Sequence, residues 1–211
     1  MGEVTANELR SMFSAIADAV TEHRDRLSEL DGVIGDADHG ITMELGFSTV
    51  KTALASNDAE ADLGAIFNIA AKSFLNAVGA SSGPLYATAF MRAGAVLKGK
   101  TSAGADDMVA ALTAMAKGIE DRGKAVTGEK TMVDAWHPAA DAAEAERAKG
   151  SPLAVCLKAA AEAANAGAES TKAMLATKGR ASRLGERVLG HADPGAVSAA
   201  LIVGTMAESL G

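Results

Sequence analysis

The chain has 211 residues, 48% hydrophobic but only 3% aromatic, and a formal net charge of −7. That length suits one large domain, and a core drawn from Ala, Leu, Val, Ile and Met favours packed helices, since Ala is the best helix former and a poor strand former. The acidic balance excludes nucleic acid as the main partner, because phosphate backbones demand a basic face, but it leaves room for one locally neutralised nucleotide.

Cys156 is the single cysteine, so no intramolecular disulfide can form, and its apolar surroundings (Leu153 to Leu157) mark it as a small core residue. Met1 is followed by a polar, acidic stretch unlike a signal peptide, and no apolar run reaches the ~20 residues of a membrane span. A soluble, cytoplasmic protein without membrane contact is expected.

Leu9, Met12, Phe13, Ile16, Val20, His23, Leu27 and Leu30 recur at spacings of three and four, which predicts a helix from about residue 5 to 30. His23 reads as a core or boundary histidine on that face. The helix should close at Asp31-Gly32, where glycine permits a left-handed turn. The stretch that follows places Asp31, Asp36 and Asp38 within eight residues, punctuated by Gly32, Gly35 and Gly40. Carboxylates ~4–5 Å apart repel by on the order of 3–4 kcal/mol per pair at an effective dielectric near 20, so the loop needs a cation. Hard oxygen ligands suit Mg²⁺ or Ca²⁺, and Mg²⁺ held by few carboxylates shares its other positions with phosphates and waters. An EF-hand beginning at Asp36 fails, because its twelfth position is Phe47 instead of glutamate. Simple capping remains an alternative for Asp38, whereas Asp31 at a helix end opposes the dipole.

A second helix is expected from about residue 40 to 55 and a third from about 61 to 78. Gly79-Ala80-Ser81-Ser82-Gly83-Pro84 then offers backbone N–H groups and two hydroxyls at a helix start, either a phosphate cradle or an ordinary tight turn. The fourth helix runs to about 98 and the fifth from about 105 to 120. In the polar loop 121–130, Gly123-x4-Gly128 resembles a P-loop, but Glu129 intervenes before Lys130 and no strand precedes it. Thr131 to Asp134 fit a capping box opening a sixth helix to about 148, with a kink at Pro138. Ser151-Pro152 start a seventh helix to about 177, as N-cap and first-turn proline. Lys178, Arg180, Arg183 and Arg187 then crowd one loop, a basic cluster suited to an anion, with Arg180 as the phosphate-contacting candidate. Asp193-Pro194 repeat the start signal, and an eighth helix runs nearly to Gly211.

These are eight amphipathic helices with no convincing strand and no linker, hence one all-α domain of antiparallel helices over residues 1–211. Up-down alternation would bring the loops before helices two, four, six and eight, and every conspicuous polar motif, to one end. No Ser/His/acid or Cys/His arrangement is readable. Phosphoryl transfer asks mainly for positioning and charge neutralisation, which an acidic metal loop facing a basic loop supplies.

Gly35 to Gly40, Gly79 to Leu85, Gly123-Lys124 with Lys130 to Asp134, and Gly179 to Ser182 through Gly190 to Ala196 together resemble the L subunit of dihydroxyacetone kinases, in family order over nearly the whole chain. The resemblance implies an eight-helix barrel with a nucleotide (ADP or ATP) at one end. It implies two Mg²⁺ ions on Asp31, Asp36 and Asp38, and Arg180 as the catalytic cation. It also implies a nucleotide surrounded by His39, Gly40, Ile41, Thr42, Ser81, Ser82, Gly123, Met132, Arg180, Asp193, Pro194 and Gly195. The ketose of such enzymes is held on a separate K subunit. The phosphoryl source is either a phosphohistidine on an M-type protein of the phosphotransferase system, recharging a tethered ADP, or exchanging ATP. The stand-alone L unit favours the former, because single-chain ATP-dependent relatives fuse the K domain in front. Thr42 and Arg183 depart from the family, which often has asparagine and tyrosine there. A nucleotide-sensing regulatory module is the alternative of another class, disfavoured by a complete ligand set.

Overall fold

A computed structural model describes residues 3–57, 62–79 and 82–211. Each stretch of three-and-four spacing becomes a helix: α1 (Ala6–Ile34), α2 (His39–Ala55), α3 (Leu63–Ala77), α4 (Ser82–Val96), α5 (Ala105–Gly123), α6 (Val133–Ala148), α7 (Leu153–Ser170) and α8 (Pro194–Leu210). Successive helices are neighbours and α8 packs back on α1, so the ring closes into a barrel. None of the helices is long and apolar enough to cross a membrane among the described residues.

The barrel is filled unevenly. All seven aromatic residues, namely Phe13, Phe47, Phe67, Phe74, Tyr86, Phe90 and Trp136, join in one buried cluster, mostly edge-to-face, with Phe47–Phe74 at 5.2 Å and Tyr86–Trp136 at 6.3 Å. Edge-to-face packing suits ring quadrupoles, and so few large rings suffice to plug the half bounded by α1–α4. The α5–α8 half is lined by alanines, including Ala135, Ala139, Ala143, Ala160, Ala164 and Ala199, all fully buried. Small side chains let those helices approach closely: a Cβ on Gly167 of α7 would run into the Asp134 carbonyl of α6. That carbonyl is the one whose helical partner N–H is missing at Pro138, so the proline is accommodated without breaking α6.

Several boundaries differ from the sequence expectation. α1 continues past Asp31-Gly32 and is capped by Gly35, whose N–H reaches the Asp31 carbonyl at 2.5 Å. α7 starts with Pro152, not Ser151, as its cap and ends at Ser170, followed by a 3-10 turn (Thr171–Ala173). α6 opens at Val133, one turn held by Thr131 and Asp134 much as a capping box would: the Thr131 hydroxyl accepts from Val133 N–H and the Asp134 carboxylate from Thr131 N–H. Two-residue strands, β1 (Val4–Thr5) and β2 (Ser102–Ala103), pair antiparallel where no strand was expected, tying the start of α1 to the α4–α5 connection. Cys156 is buried, as its apolar setting indicates.

Candidate functional site

Because the helices alternate, the connections preceding α2, α4, α6 and α8 meet at one mouth, where they enclose a cleft of about 490 Å³. Its acidic wall begins with Asp31, in the last turn of α1. A carboxylate there opposes the dipole of its own helix, but its Oδ2 accepts from the backbone N–H groups of Asp38 (3.0 Å) and His39 (3.2 Å). Asp31 thus caps α2, which is why burial to 9% exposure is tolerated. Asp38 holds the N-cap position of α2 yet makes no capping bond with its side chain, so that carboxylate is free to face the cleft. Between them Ala37 turns through φ 62°, a left-handed conformation that swings Asp36 toward its neighbours. One oxygen from each of Asp31, Asp36 and Asp38 lies within 4.8 Å of the others. At an effective dielectric near 20 such a spacing costs about 3–4 kcal/mol per pair, so the cluster calls for positive charge. The donor set, three hard carboxylates with Asp38 otherwise unengaged, fits a divalent cation of the Mg²⁺ type.

The basic wall is the loop before α8. Arg180 follows Gly179, at φ 63°, and its guanidinium pairs with Asp36 across the mouth. Lys178 pairs with Glu129 at 3.5 Å, and a 3-10 segment (Ala181–Val188), broken at Gly185, carries Arg183 and Arg187. At the floor, α8 starts as its sequence indicates: Asp193 accepts from Ala196 N–H at 2.7 Å, and Pro194 occupies the first turn. Desolvation pushes the Asp193 carboxyl up to about 7, against the opposing pull of the Ala196 N–H and the Lys130 ammonium. His39 reaches Ser198 Oγ with Nε2 at 2.9 Å, and burial holds its pKa below the usual histidine range despite Asp31 nearby.

Of the residues singled out from sequence, Asp31, Asp36, Asp38, His39, Thr42, Ser82, Met132, Arg180, Asp193, Pro194 and Gly195 line this one cleft. Three do not. Gly40 packs beneath it, where a Cβ would strike the Arg24 carbonyl of α1; Ile41 points outward, 59% exposed; Gly123 ends α5 behind Leu85. Ser81 lies outside the described residues. Lys130 was missed as a site residue. It lines the cleft at φ 60°, 2% exposed, and its ammonium donates to the carbonyls of Thr171 and His191, both at 2.5 Å. Only its place in a glycine-bounded motif hinted at this, because its partners are backbone groups 41 and 61 residues away.

Comparison with known proteins bears on the same region. The DAK2 domain model matches residues 33–208. The chain is 40% identical over 190 residues to the ADP-binding subunit DhaL of PEP-dependent dihydroxyacetone kinase 1 from Listeria innocua, covering 90% of this chain and 89% of that one. It is 37% identical over 195 residues to the corresponding Escherichia coli K12 subunit, covering 92% of each. The dihydroxyacetone kinase of C. freundii, in a crystal structure with AMP-PNP and Mg²⁺, superposes with a TM-score of 0.75 at 26% identity over 99% of this chain and 35% of that longer one. A barrel with one charged mouth, matched over nearly its full length by these proteins, places the chain in the DAK2-domain family, that of the ADP-binding subunits of dihydroxyacetone kinase.

Proposed function

We propose that this chain is the nucleotide-binding subunit of a short-ketose kinase, holding ADP or ATP with two Mg²⁺ ions in the cleft and passing a phosphoryl group to a ketose on a separate K subunit. The observation that carries this reading is the opposition, across one cleft, of a three-carboxylate cluster and Arg180. Mg²⁺, when bound, would neutralise phosphate charge and lock the phosphates in place. The chain's own residues do the rest. Asp31, Asp36 and Asp38 hold the cation, with Asp31 stiffened by its two N–H bonds to the start of α2. Arg180, released from Asp36, offers a planar fork of donors to phosphate oxygens, where charge develops as the group leaves. Pro194 and Gly195, at the start of α8, present a floor without a bulky side chain to the nucleoside, with Asp193 beside them.

The transfer needs a partner at the mouth. Val33, Ile41, Leu45, Leu75, Val126, Leu175 and Leu189 are exposed apolar residues, and all sit on helix ends or loops at the cleft end of the barrel. An apolar rim around a charged site supports a docking face for the ketose-bearing subunit. The similarity to stand-alone ADP-binding subunits supports a tethered ADP recharged by a phosphohistidine protein in the cytoplasm. The likeness to the C. freundii dihydroxyacetone kinase whose structure holds AMP-PNP and Mg²⁺ supports exchanging ATP as the second reading.

Asp38→Ala is expected to lower Mg²⁺-dependent ADP affinity at least about tenfold by calorimetry, and to abolish phosphoryl transfer to a ketose in the presence of a K subunit. Unchanged binding and transfer would sink the assignment. Denaturing the purified protein separates the two phosphoryl sources: stoichiometric ADP surviving dialysis marks the tethered cofactor, whereas an empty site that fills reversibly with ATP marks the exchanging one.

A further inference from the structure

A second cavity, of about 260 Å³, opens on the flank of the barrel where α1, α7 and α8 meet. It shares no lining residue with the cleft at the mouth. The hollow has a simple origin: Ala168 and Ala200 stand where the three helices come together, and their methyl groups leave space that larger side chains would fill. Leu27, Val197 and Leu201 complete an apolar floor.

The polar groups around that floor are of two kinds. Arg26 only donates, and among the described residues its guanidinium has no hydrogen bond or ion pair, not even with Glu22 or Glu29 of its own helix. The other three leave acceptors unused. His23 Nδ1 stands 3.0 Å from the Ala19 carbonyl. A carbonyl only accepts, so Nδ1 carries the proton and the neutral ring keeps Nε2 as an acceptor. Asn165 donates its amide N–H to the Ala161 carbonyl at 2.9 Å, which leaves its Oδ1. Glu169 accepts from Lys172 with Oε1 and retains Oε2. A guanidinium fork suits a carboxylate, and a group of acceptors suits an ammonium with its three donors. The floor suits a branched aliphatic chain. A free aliphatic α-amino acid carries all three features, and the volume lies below that of pockets for drug-sized ligands.

We propose that this cavity binds a free aliphatic α-amino acid of about the size of leucine. Its carboxylate sits on Arg26, its ammonium among His23, Asn165 and Glu169, and its side chain on the floor. The site stands apart from the nucleotide reading above, because none of its residues lines the cleft.

The test titrates L-leucine into the full chain, by calorimetry and by amide correlation spectra of the ¹⁵N-labelled protein. A Kd of about 1 mM or tighter is expected, with shifts confined to residues 23–27, 165–169 and 197–201. No binding at about 10 mM overturns the proposal, and so do shifts centred on the loops 31–38 and 178–193 of the mouth. Two trimmed probes examine the charged ends: 4-methylpentanoate lacks the ammonium, and 3-methylbutylamine lacks the carboxylate. Each is expected to bind at least about tenfold more weakly than leucine, the scale of one charge-assisted hydrogen bond. Either binding as well as leucine overturns the assignment of an amino acid. Arg26→Ala, at an exposed position, is expected to weaken leucine at least about tenfold with an unchanged circular dichroism spectrum. Arg26→Gln, which keeps most of the side chain without its charge, is read alongside it and decides if the alanine variant loses helix. Leucine affinity unchanged in the variant that keeps its helices overturns the site.

Discussion

Asp193 ends the basic loop and begins α8, and both duties fall on one desolvated carboxylate. Its folded pKa, pushed up to about 7, lies above the unfolded value of 3.8, so between those pH values the folded chain binds more protons than the unfolded one. Stability therefore falls as pH rises through that window, and the charge burdens the fold at pH 8. Asn caps a helix as well as Asp without carrying charge. Asp193→Asn is expected to be more stable than wild type at pH 8, by on the order of 2–4 kcal/mol, with the gap closing toward pH 4. Urea denaturation at the two pH values measures it, and a gap that does not shrink on acidification would refute it. The neighbouring carboxylates differ in what could be read ahead. Clustering of Asp31, Asp36 and Asp38 was legible from spacing alone. That Asp31 serves as the cap of the next helix was not, because the acceptors of Asp38 and His39 N–H are decided by how α1 and α2 turn against each other.

At the scale of elements, the mouth depends on two tight junctions. α2 starts directly against α1, with Gly40 facing the Arg24 carbonyl, so Gly40→Ala forces the start of α2 outward. The expected cost is about 1–3 kcal/mol, together with weaker cation binding, because Asp38 moves with the helix start. Thermal unfolding and magnesium calorimetry on the same variant check both halves. Lys130 is the second junction. Its ammonium ties the loop before α6 to the turn after α7 and to the loop before α8, and burial lowers its pKa against the attraction of Asp193 and Asp134. Lys130→Met removes both bonds and strands two carbonyls, with an expected loss of roughly 2–4 kcal/mol in urea titration. A loss below about 0.5 kcal/mol would mean that the three loops are held by other contacts. Element identity was legible because eight stretches keep helical spacing. The early end expected for α1 was wrong because Asp31-Gly32 is continued by Val33 and Ile34, and Ile34 is buried once the barrel forms.

For the whole molecule, ring closure of α8 on α1 turns eight amphipathic stripes into one interior and leaves one mouth for chemistry. Seven of the nine exposed large apolar residues lie around that mouth, Met91 and Val155 being elsewhere, so association and nucleotide binding are separable at its rim. The double variant Leu75→Asp, Leu175→Asp changes rim positions that do not line the cleft. It is expected to weaken association with a ketose-binding K subunit at least about tenfold, the loss of a couple of apolar anchors, while leaving Mg²⁺–ADP affinity within about twofold. Analytical ultracentrifugation and calorimetry report the two quantities independently. Association unchanged by the variant would remove the rim as the docking face.

By itself, the amino-acid sequence determined the helical class, the order of eight helices, the start of α8 at Asp193-Pro194 and the acidic and basic loops, because spacing, capping chemistry and charge clustering are local properties of a chain. It also carried the family, through motifs spread along almost its whole length. Only the tertiary structure decided that Asp31 caps α2, that Arg180 faces Asp36 from 144 positions along the chain, that Ile41 and Gly123 stand off the cleft, and that Lys130 lines it with its ammonium tied to the carbonyls of two other loops. The physical reason is the same in each case: these are contacts between groups distant in sequence, whose partners exist only after the ring of helices has closed.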